Sequence, residues 1–418
     1  MSRPVRFVHA ADLHLGARFH SVSADDRRVA DALVGAVPAA LNRIVDLCIA
    51  ERVDFLVIAG DVYDSASPTV RSRLAFSGAM ARLAAADIPA YLVSGNHDPD
   101  DGPSAGEPLP TCVTRFRNDA VERLEHRDVS GELVCALYGR SYPRSQVTED
   151  YAAAFSRQLS DPLAIGVLHT NVGGRPEHED YAPSTGAELA AAGMDYWALG
   201  HIHASGQAAP GAPAWYAGSP QGLQPNESGV HGCLLVTCAS GAAATVEFRP
   251  TASVAWAHAT ADIGAACSVE DVRQAVDAAC GAVLEETGGP ASVRIELTGR
   301  SEVADQLSRP GALGDLLEAV RESWMERDPW VWVDRLDDRS HRAFDLDTYR
   351  DDDGFLGDLV RRADELLDGT LAAGELAALL DTVRANLPAR PDVAAPASTL
   401  VERARNRCLD LLTDGDDR

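Results

Sequence analysis

Five short segments of this 418-residue chain carry side chains suited to holding metal ions. They are Asp12-Leu13-His14, Gly60-Asp61, Gly95-Asn96-His97-Asp98, His169 within Leu-His-Thr, and Gly200-His201-Ile202-His203. Carboxylate, imidazole and amide donors without thiolate favour Mn²⁺, Fe²⁺ or Zn²⁺. Asp12, His14, Asp61, Asn96, His169, His201 and His203 are too many ligands for one tetrahedral ion. With one carboxylate shared they divide into two sets of four, leaving positions for water and substrate. Two ions about 3.5–4 Å apart can share a hydroxide nucleophile and neutralise phosphoryl oxygens, which is the chemistry of phosphoester hydrolysis. A lone Asp-x-His or His-x-His carries little weight, and Gly95-Asn96 alone reads as a turn. His97 and Asp98 directly after that turn are costly to bury without a role. It is the succession of five segments that singles out the site.

The elements that position these segments are legible from hydrophobic periodicity. Short β-rich runs at 6–10, 55–59 and 90–94 alternate with helical patterns at 29–51 and 69–86. Further strands are predicted at 133–138, 163–169, 196–200, 214–217, 233–238 and 244–248. Each ligand segment follows a predicted strand, and the ends of parallel strands converge on one sheet edge. The spacing predicts an α/β domain over 1–250, with two sheets face to face and helices outside. Residues 251–345 read as a small α+β domain, with strands near 254–259, 292–297 and 330–336 and helices near 269–285 and 314–326. Residues 346–418 read as a helical tail, with helices at 355–367, 372–387 and 398–412.

Composition narrows the partners. Acidic residues number 63 against 37 basic ones, the net charge is −26, and every basic residue other than histidine is arginine. Such a chain does not attract nucleic acid through its overall field, so any grip on phosphate must be local. The eight cysteines form no C-x-x-C pair, which fits a reducing cytoplasm. Neither a signal peptide nor 18 consecutive apolar residues is present, so a cytoplasmic protein with no membrane partner is expected.

The order D-x-H, G-D, G-N-H-D, H, G-H-x-H resembles the calcineurin-like metallophosphoesterase superfamily. The fuller strings HAADLHLG, AGDVYD, VSGNHD, LHTNVGG with HEDYAP, and DYWALGHIH with YAGSPQG resemble its DNA repair exonuclease subunits of the SbcD and YhaO type. That resemblance covers residues 4 to 240 closely and the remainder more loosely. It implies a four-layer α/β/β/α sandwich with a capping, DNA-binding-type domain. It further implies that Asp12, His14, Asp61 and His203 hold one metal and Asp61, Asn96, His169 and His201 the other, with Mn²⁺ the usual ion. His97 takes the place of the histidine that contacts the scissile phosphate and assists the leaving oxygen. Asp64 stands where archaeal and eukaryotic relatives carry a second catalytic histidine, so a mechanism needing two such histidines is not expected here.

The resemblance also implies DNA as substrate and an SMC-like ABC ATPase with a long coiled coil as partner, bound through the C-terminal helices, and it admits a homodimer. On the helix at 355–367, Phe355, Leu356, Leu359, Leu366 and Leu367 form an apolar stripe suited to a partner's groove. Arg18, Arg115 and Arg117 are candidate phosphate contacts. His178 is a candidate to orient a ligand, as are Asp64 and Asp98. His9, Trp330 and Trp332 read as packing residues. Two rival functions remain: the same chemistry on phosphomonoesters or cyclic nucleotides, and a scaffold that organises an ATPase without cutting.

Overall fold

A computed structural model describes residues 3–17, 19, 27–65, 67–102, 108–174, 181–368 and 397–413. The helix expected at 372–387, Arg18 and His178 lie outside the described residues.

The chain enters through β1 (Val5–Ala10), α1 (Arg27–Glu51), β2 (Phe55–Ala59), α2 (Val70–Ala85), β3 (Ala90–Val93) and β4 (Val113–Arg115). These four strands run parallel in the order β1-β2-β3-β4. Their side chains alternate cleanly. Phe55, Val57 and Ala59 face one way into an inter-sheet core, while Leu56 and Ile58 face α1 and α2. A strand buried on both faces reads as a continuous apolar run, which is why FLVIA is conspicuous in the sequence.

A second sheet follows: β5 (Glu122–Arg127), β6 (Leu133–Gly139), β7 (Ala164–His169), α3 (Gly186–Ala191), β8 (Tyr196–Gly200), β9 (Gly206–Gln207) and β10 (Ala214–Tyr216). Its order is β5-β6-β7-β8-β10-β9. The chain then returns to the first sheet with β11 (Gly232–Cys238) antiparallel to β1 and β12 (Thr245–Pro250) at its edge. Ile165 and Val167 of β7 meet Phe55 and Val57 of β2 between the sheets. The result is the expected α/β/β/α order with a thin fourth layer. Beyond the second sheet, α3 has only six residues, and Tyr142, Tyr151 and Phe155 from irregular segments complete the packing around Trp197.

His9 lies between the sheets, as its placement in a strand suggests. Its Nε2–H donates to the Leu199 carbonyl at 3.1 Å, and its Nδ1 accepts from the Tyr196 hydroxyl at 3.0 Å. Burial pushes its pKa down to about 3, so it is a neutral core histidine.

The middle segment runs β13 (Ala255–Asp262), α4 (Val269–Thr287), β14 (Ala291–Thr298), β15 (Arg300–Ser301), α5 (Ala304–Leu307), α6 (Ala312–Met325) and β16 (Val331–Asp338). Strands β13, β14 and β16 are all parallel, so this unit is α/β and not the α+β domain expected from its size. Helix α4 opens on a capping box of Ser268 and Asp271 and closes on left-handed Gly288. One face of the three-stranded sheet packs on the phosphoesterase part. Trp256, Trp330 and Trp332 join Val29, Leu33 and Ala36 of α1 in one buried cluster. The tryptophans therefore pack, as their alternation with valine suggests.

Helix α1 is long and apolar enough to cross a membrane, but its Val37, Leu41, Ile44 and Val45 are buried in the core on the first sheet. The chain divides into two compact units, Met1–Gly299 with Asp305–Ser340, and Arg300–Ala304 with His341–Arg418. In the second, β15 pairs with β17 (His341–Arg342), followed by α7 (Leu346–Arg350), α8 (Phe355–Leu367) and α9 (Ala397–Thr413). Helix α8 buries Gly357, Val360 and Ala363, while Phe355 is 71% exposed. Small residues thus make its packed face, and the larger apolar ones sit at the margin.

Trp256 is buried, and its Nε1–H donates to the Gly222 carbonyl at 2.9 Å. Replacing it with alanine opens a large cavity between the middle sheet and α1, at a cost of about 3–5 kcal/mol. Equilibrium urea unfolding of Trp256→Ala should show a clearly lowered midpoint; an unchanged midpoint would contradict this packing.

Candidate metal centre

Backbone hydrogen bonds sew the loops after the strands together. Asp12 N–H donates to the Gly60 carbonyl at 3.1 Å, His14 N–H to Asp61 at 3.0 Å and Leu15 N–H to Val62 at 2.9 Å. The D-x-H and G-D loops are therefore one unit. The Asp98 carboxylate then pins the third loop to the second, accepting from Gly95 N–H at 2.9 Å and from Val62 N–H at 2.7 Å. Burial and the charge of Asp61 push Asp98 up to about 7, against these backbone donors. Across the sheets, His201 N–H donates to the Asp12 carboxylate at 3.0 Å, and His169 Nδ1–H to the Ala59 carbonyl at 2.9 Å.

This convergence demands unusual backbone. Asp12, His14, Asp61 and His201 all have positive φ, at 53°, 46°, 52° and 97°. Such angles are costly for residues with a Cβ and cluster where function over-determines them. Two glycines are required by contact rather than by conformation. A Cβ on Gly95 would collide with the Asp61 carboxylate, and one on Gly200 with the Ala59 carbonyl oxygen.

The structure brings all seven expected ligands into one region. Ligand atoms of Asp12, His14 and His203 form one group, all within 4.8 Å of one another, and those of Asp12, Asp61 and His169 form a second. Asn96 Oδ1 lies 2.9 Å from His169 Nε2. The His201 ring stands 5.3 Å from that of His169, centroid to centroid. Asp61 reaches both halves, its Oδ2 lying 3.3 Å from His169 Nε2 and 3.9 Å from His14 Nε2. Its Oδ1 is occupied by His97 N–H at 2.9 Å.

The donor chemistry fits divalent cations. His169 spends its Nδ1 proton on Ala59, so in the neutral ring Nε2 presents a lone pair to Asn96 Oδ1 and Asp61 Oδ2. His14 and His203 face each other Nε2 to Nε2 at 3.1 Å. Acceptors converging in this way repel unless a cation or a proton lies among them.

Asp64 sits beside this centre. Its Oδ1 is 3.4 Å from His14 Nδ1, and its carbonyl accepts from His97 Nδ1–H at 3.0 Å. His97 is exposed, with its ring edge-on to His14. The candidate arginines are engaged elsewhere: Arg115 pairs with Asp100 at 3.1 Å, and Arg117 with Asp119 at 2.6 Å.

Glu227 is the important residue that sequence reasoning missed. Its carboxylate accepts from His203 Nδ1–H at 3.1 Å and from Leu223 N–H at 2.8 Å, so it fixes the tautomer that turns Nε2 inward. A signal existed: histidine aside, Glu227 is the sole charged residue between positions 204 and 246. Tyr142 was missed too. Its hydroxyl donates to the His169 carbonyl at 2.8 Å, and its ring stands edge-on to the imidazole.

The fold and this centre define a metallophosphoesterase, and comparison agrees. Residues 5–205 match the sequence profile of the calcineurin-like phosphoesterases, and residues 256–341 that of the middle domain of the metallophosphoesterase YhaO. The chain belongs to the calcineurin-like metallophosphoesterases of YhaO type. It is 31% identical over 365 residues to the uncharacterized metallophosphoesterase YhaO of Bacillus subtilis strain 168, a match covering 87% of this chain and 88% of that one. It is also distantly similar to the DNA double-strand break repair protein Mre11 of Saccharolobus solfataricus, at 26% identity over 202 residues, covering 48% of this chain and 49% of that one. The Mre11 of Methanosarcina acetivorans is 37% identical over 99 residues, covering 23% of this chain and 15% of that one.

The charges predict how metal binding depends on pH. Burial lowers the pKa of His169, but the Asp61 charge and hydrogen bond, with Asp12, outweigh it and bring the imidazole to about 9. Burial is likewise outweighed at His203, chiefly by Glu227, bringing it to about 8. Both folded values exceed the unfolded value of about 6.5. Their contribution to the stability of the metal-free chain is therefore full below about pH 6.5 and lost as pH rises through about 8–9. Metal must displace these protons, so affinity for Mn²⁺ should rise steadily from pH 7 to pH 9 with proton release. Calorimetric titration in buffers of different ionisation enthalpy measures that release. An affinity independent of pH would contradict the protonation scheme.

Proposed function

We propose that the protein is a metal-dependent phosphodiesterase acting on DNA, an exonuclease subunit that works in DNA repair with an SMC-like ABC ATPase. The observation that carries the reading is His97 beside the centre, with its Nδ1–H held by the Asp64 carbonyl at 3.0 Å and its ring lining the same cleft as His14 and His203. Asp12, His14 and His203 on one side and Asp61, Asn96 and His169 on the other would hold two divalent ions, with His201 completing the set. Mn²⁺ suits these oxygen and imidazole donors, and Fe²⁺ or Zn²⁺ could replace it. Bound ions supply an activated water and neutralise charge on the phosphoryl oxygens.

The chain's own residues do the rest. Asn96 directs its oxygen towards His169, which leaves its amide N–H₂ to hydrogen-bond a phosphoryl oxygen. His97, tethered through Nδ1, offers Nε2 to protonate the departing oxygen. A single such histidine serves here, with Asp64 orienting its neighbours. DNA as the substrate is supported by the named role of the Mre11 relatives in double-strand break repair. The ATPase partner is supported by apolar residues exposed on the helical tail, Phe355 on α8 and Leu411 and Leu412 on α9.

The test is hydrolysis of bis-p-nitrophenyl phosphate and of end-labelled DNA with Mn²⁺. His97→Ala should bind metal as the wild type does and lose about 10²–10⁴-fold in kcat. Cleavage of small esters but never of DNA, even with the cognate ATPase present, would make the protein a small-substrate phosphatase. Failure to cleave any ester would leave a scaffold.

A further inference from the structure

The cleft over the metal centre has a second wall. It encloses about 720 Å³, and beside His14, Asp64, His97, His203 and Glu227 it is lined by Arg294 of the middle segment. That placement follows from strand register. Trp256 pairs with Ser292 and Ser292 with Trp332, and these tryptophans pack on α1. Two residues further along the same sheet face, His258 pairs with Arg294. His258 Nε2–H donates to the carbonyl of Pro225 at 3.0 Å, and Pro225 itself lines the cleft. The face that docks on α1 therefore continues over the loop that positions Glu227.

The pairing of β14 with β16 carries a register shift at this point, between Val293 and Arg294. Val293 opposes Val333 and Arg294 opposes Arg335, so Asp334 is the extra residue of a β-bulge. Bulges re-aim side chains and recur beside active sites. Here the bulge delivers the Asp334 carboxylate to Arg294 Nε at 2.8 Å. The Asp334 side chain is 9% exposed and that of Arg294 24%. Among the described residues the two terminal nitrogens of Arg294 make no hydrogen bond. A guanidinium held by Nε with both Nη groups available matches a phosphate, which it can grip at two oxygens. Among the described residues, and histidines aside, it is the sole cation lining a cleft that also holds Asp64 and Glu227.

We infer that Arg294 binds a phosphate of the substrate other than the scissile one, and so selects backbones with several phosphodiesters over isolated phosphate esters. The inference rests on the phosphodiesterase reading. The scissile group belongs with the five loops of the first wall, and Arg294 stands on the second. Asp334 acts as a positioning residue that holds the guanidinium's orientation.

The experiment compares wild type, Arg294→Gln and Arg294→Lys by two readouts. The first is Mn²⁺-dependent turnover of bis-p-nitrophenyl phosphate, which has one phosphate, and of oligothymidylate, which has many. The second is binding of fluorescein-labelled oligothymidylate in Ca²⁺ across a salt series. For Arg294→Gln, KM and Kd for the oligonucleotide should rise roughly tenfold and the log–log salt slope should fall by about one, with turnover of the single-phosphate ester within about twofold of wild type. Arg294→Lys, which keeps the charge without the fork, should fall between the two. Equal losses on both substrates, or an unchanged Kd and salt slope, would overturn the assignment. So would a wild type that binds no oligonucleotide. A wild type that binds the oligonucleotide and hydrolyses the ester without cutting DNA would sink the nuclease reading alone and leave Arg294 in place.

Discussion

The structure depends on holding mutually repelling acceptors together. His169 Nε2 faces two oxygens, and His14 and His203 face each other, all in a region walled by two sheets. Left alone, such a cluster would spring apart or fill with protons. The fold restrains it with the loop-to-loop backbone bonds and with Asp98, and by forcing four ligands into left-handed backbone. The free energy for this comes from elsewhere, from the apolar inter-sheet core of Phe7, Phe55, Val57, Ile165 and Val167. Metal affinity and fold stability are thus opposed in the metal-free chain and aligned once cations neutralise the cluster.

Much of this was legible in the sequence, for a definite reason. Parallel strands buried on both faces stand out as apolar runs, and ligands immediately after them announce where the sheet edge lies. The strands at 55–59 and 196–200 match the structure to the residue. The positions of Asp12, His14, Asp61, Asn96, His97, His169, His201 and His203 follow from that logic. Less legible were residues whose role lies in a partner distant in sequence. Glu227 matters because it meets His203, and no spacing rule links them. The strand at 122–127 went unseen because Glu, Arg and His at a sheet edge carry no apolar period. The α+β expectation for the middle segment failed on strand direction, because it rested on size while the strand–helix–strand–helix–strand order already pointed to parallel strands.

Charge tells a similar story. A net −26 speaks against attraction of a polyanion by the whole protein, and Arg115 and Arg117 are paired with Asp100 and Asp119. Arg294, which does line the cleft, sits in a strand whose neighbours suggest only packing. It is recognisable through a bulge and a register, both of which are properties of the pairing and invisible in either strand alone. Phosphate approaching this acidic protein would thus meet local cationic features set in a repelling surface.

The five loops should form one centre for two ions. Anomalous diffraction at the manganese edge, from crystals grown with Mn²⁺, tests it most directly. Two peaks are predicted, one against His14 and His203 and the other against His169 and Asn96, with Asp61 touching both. A single peak, or peaks away from these side chains, would contradict it.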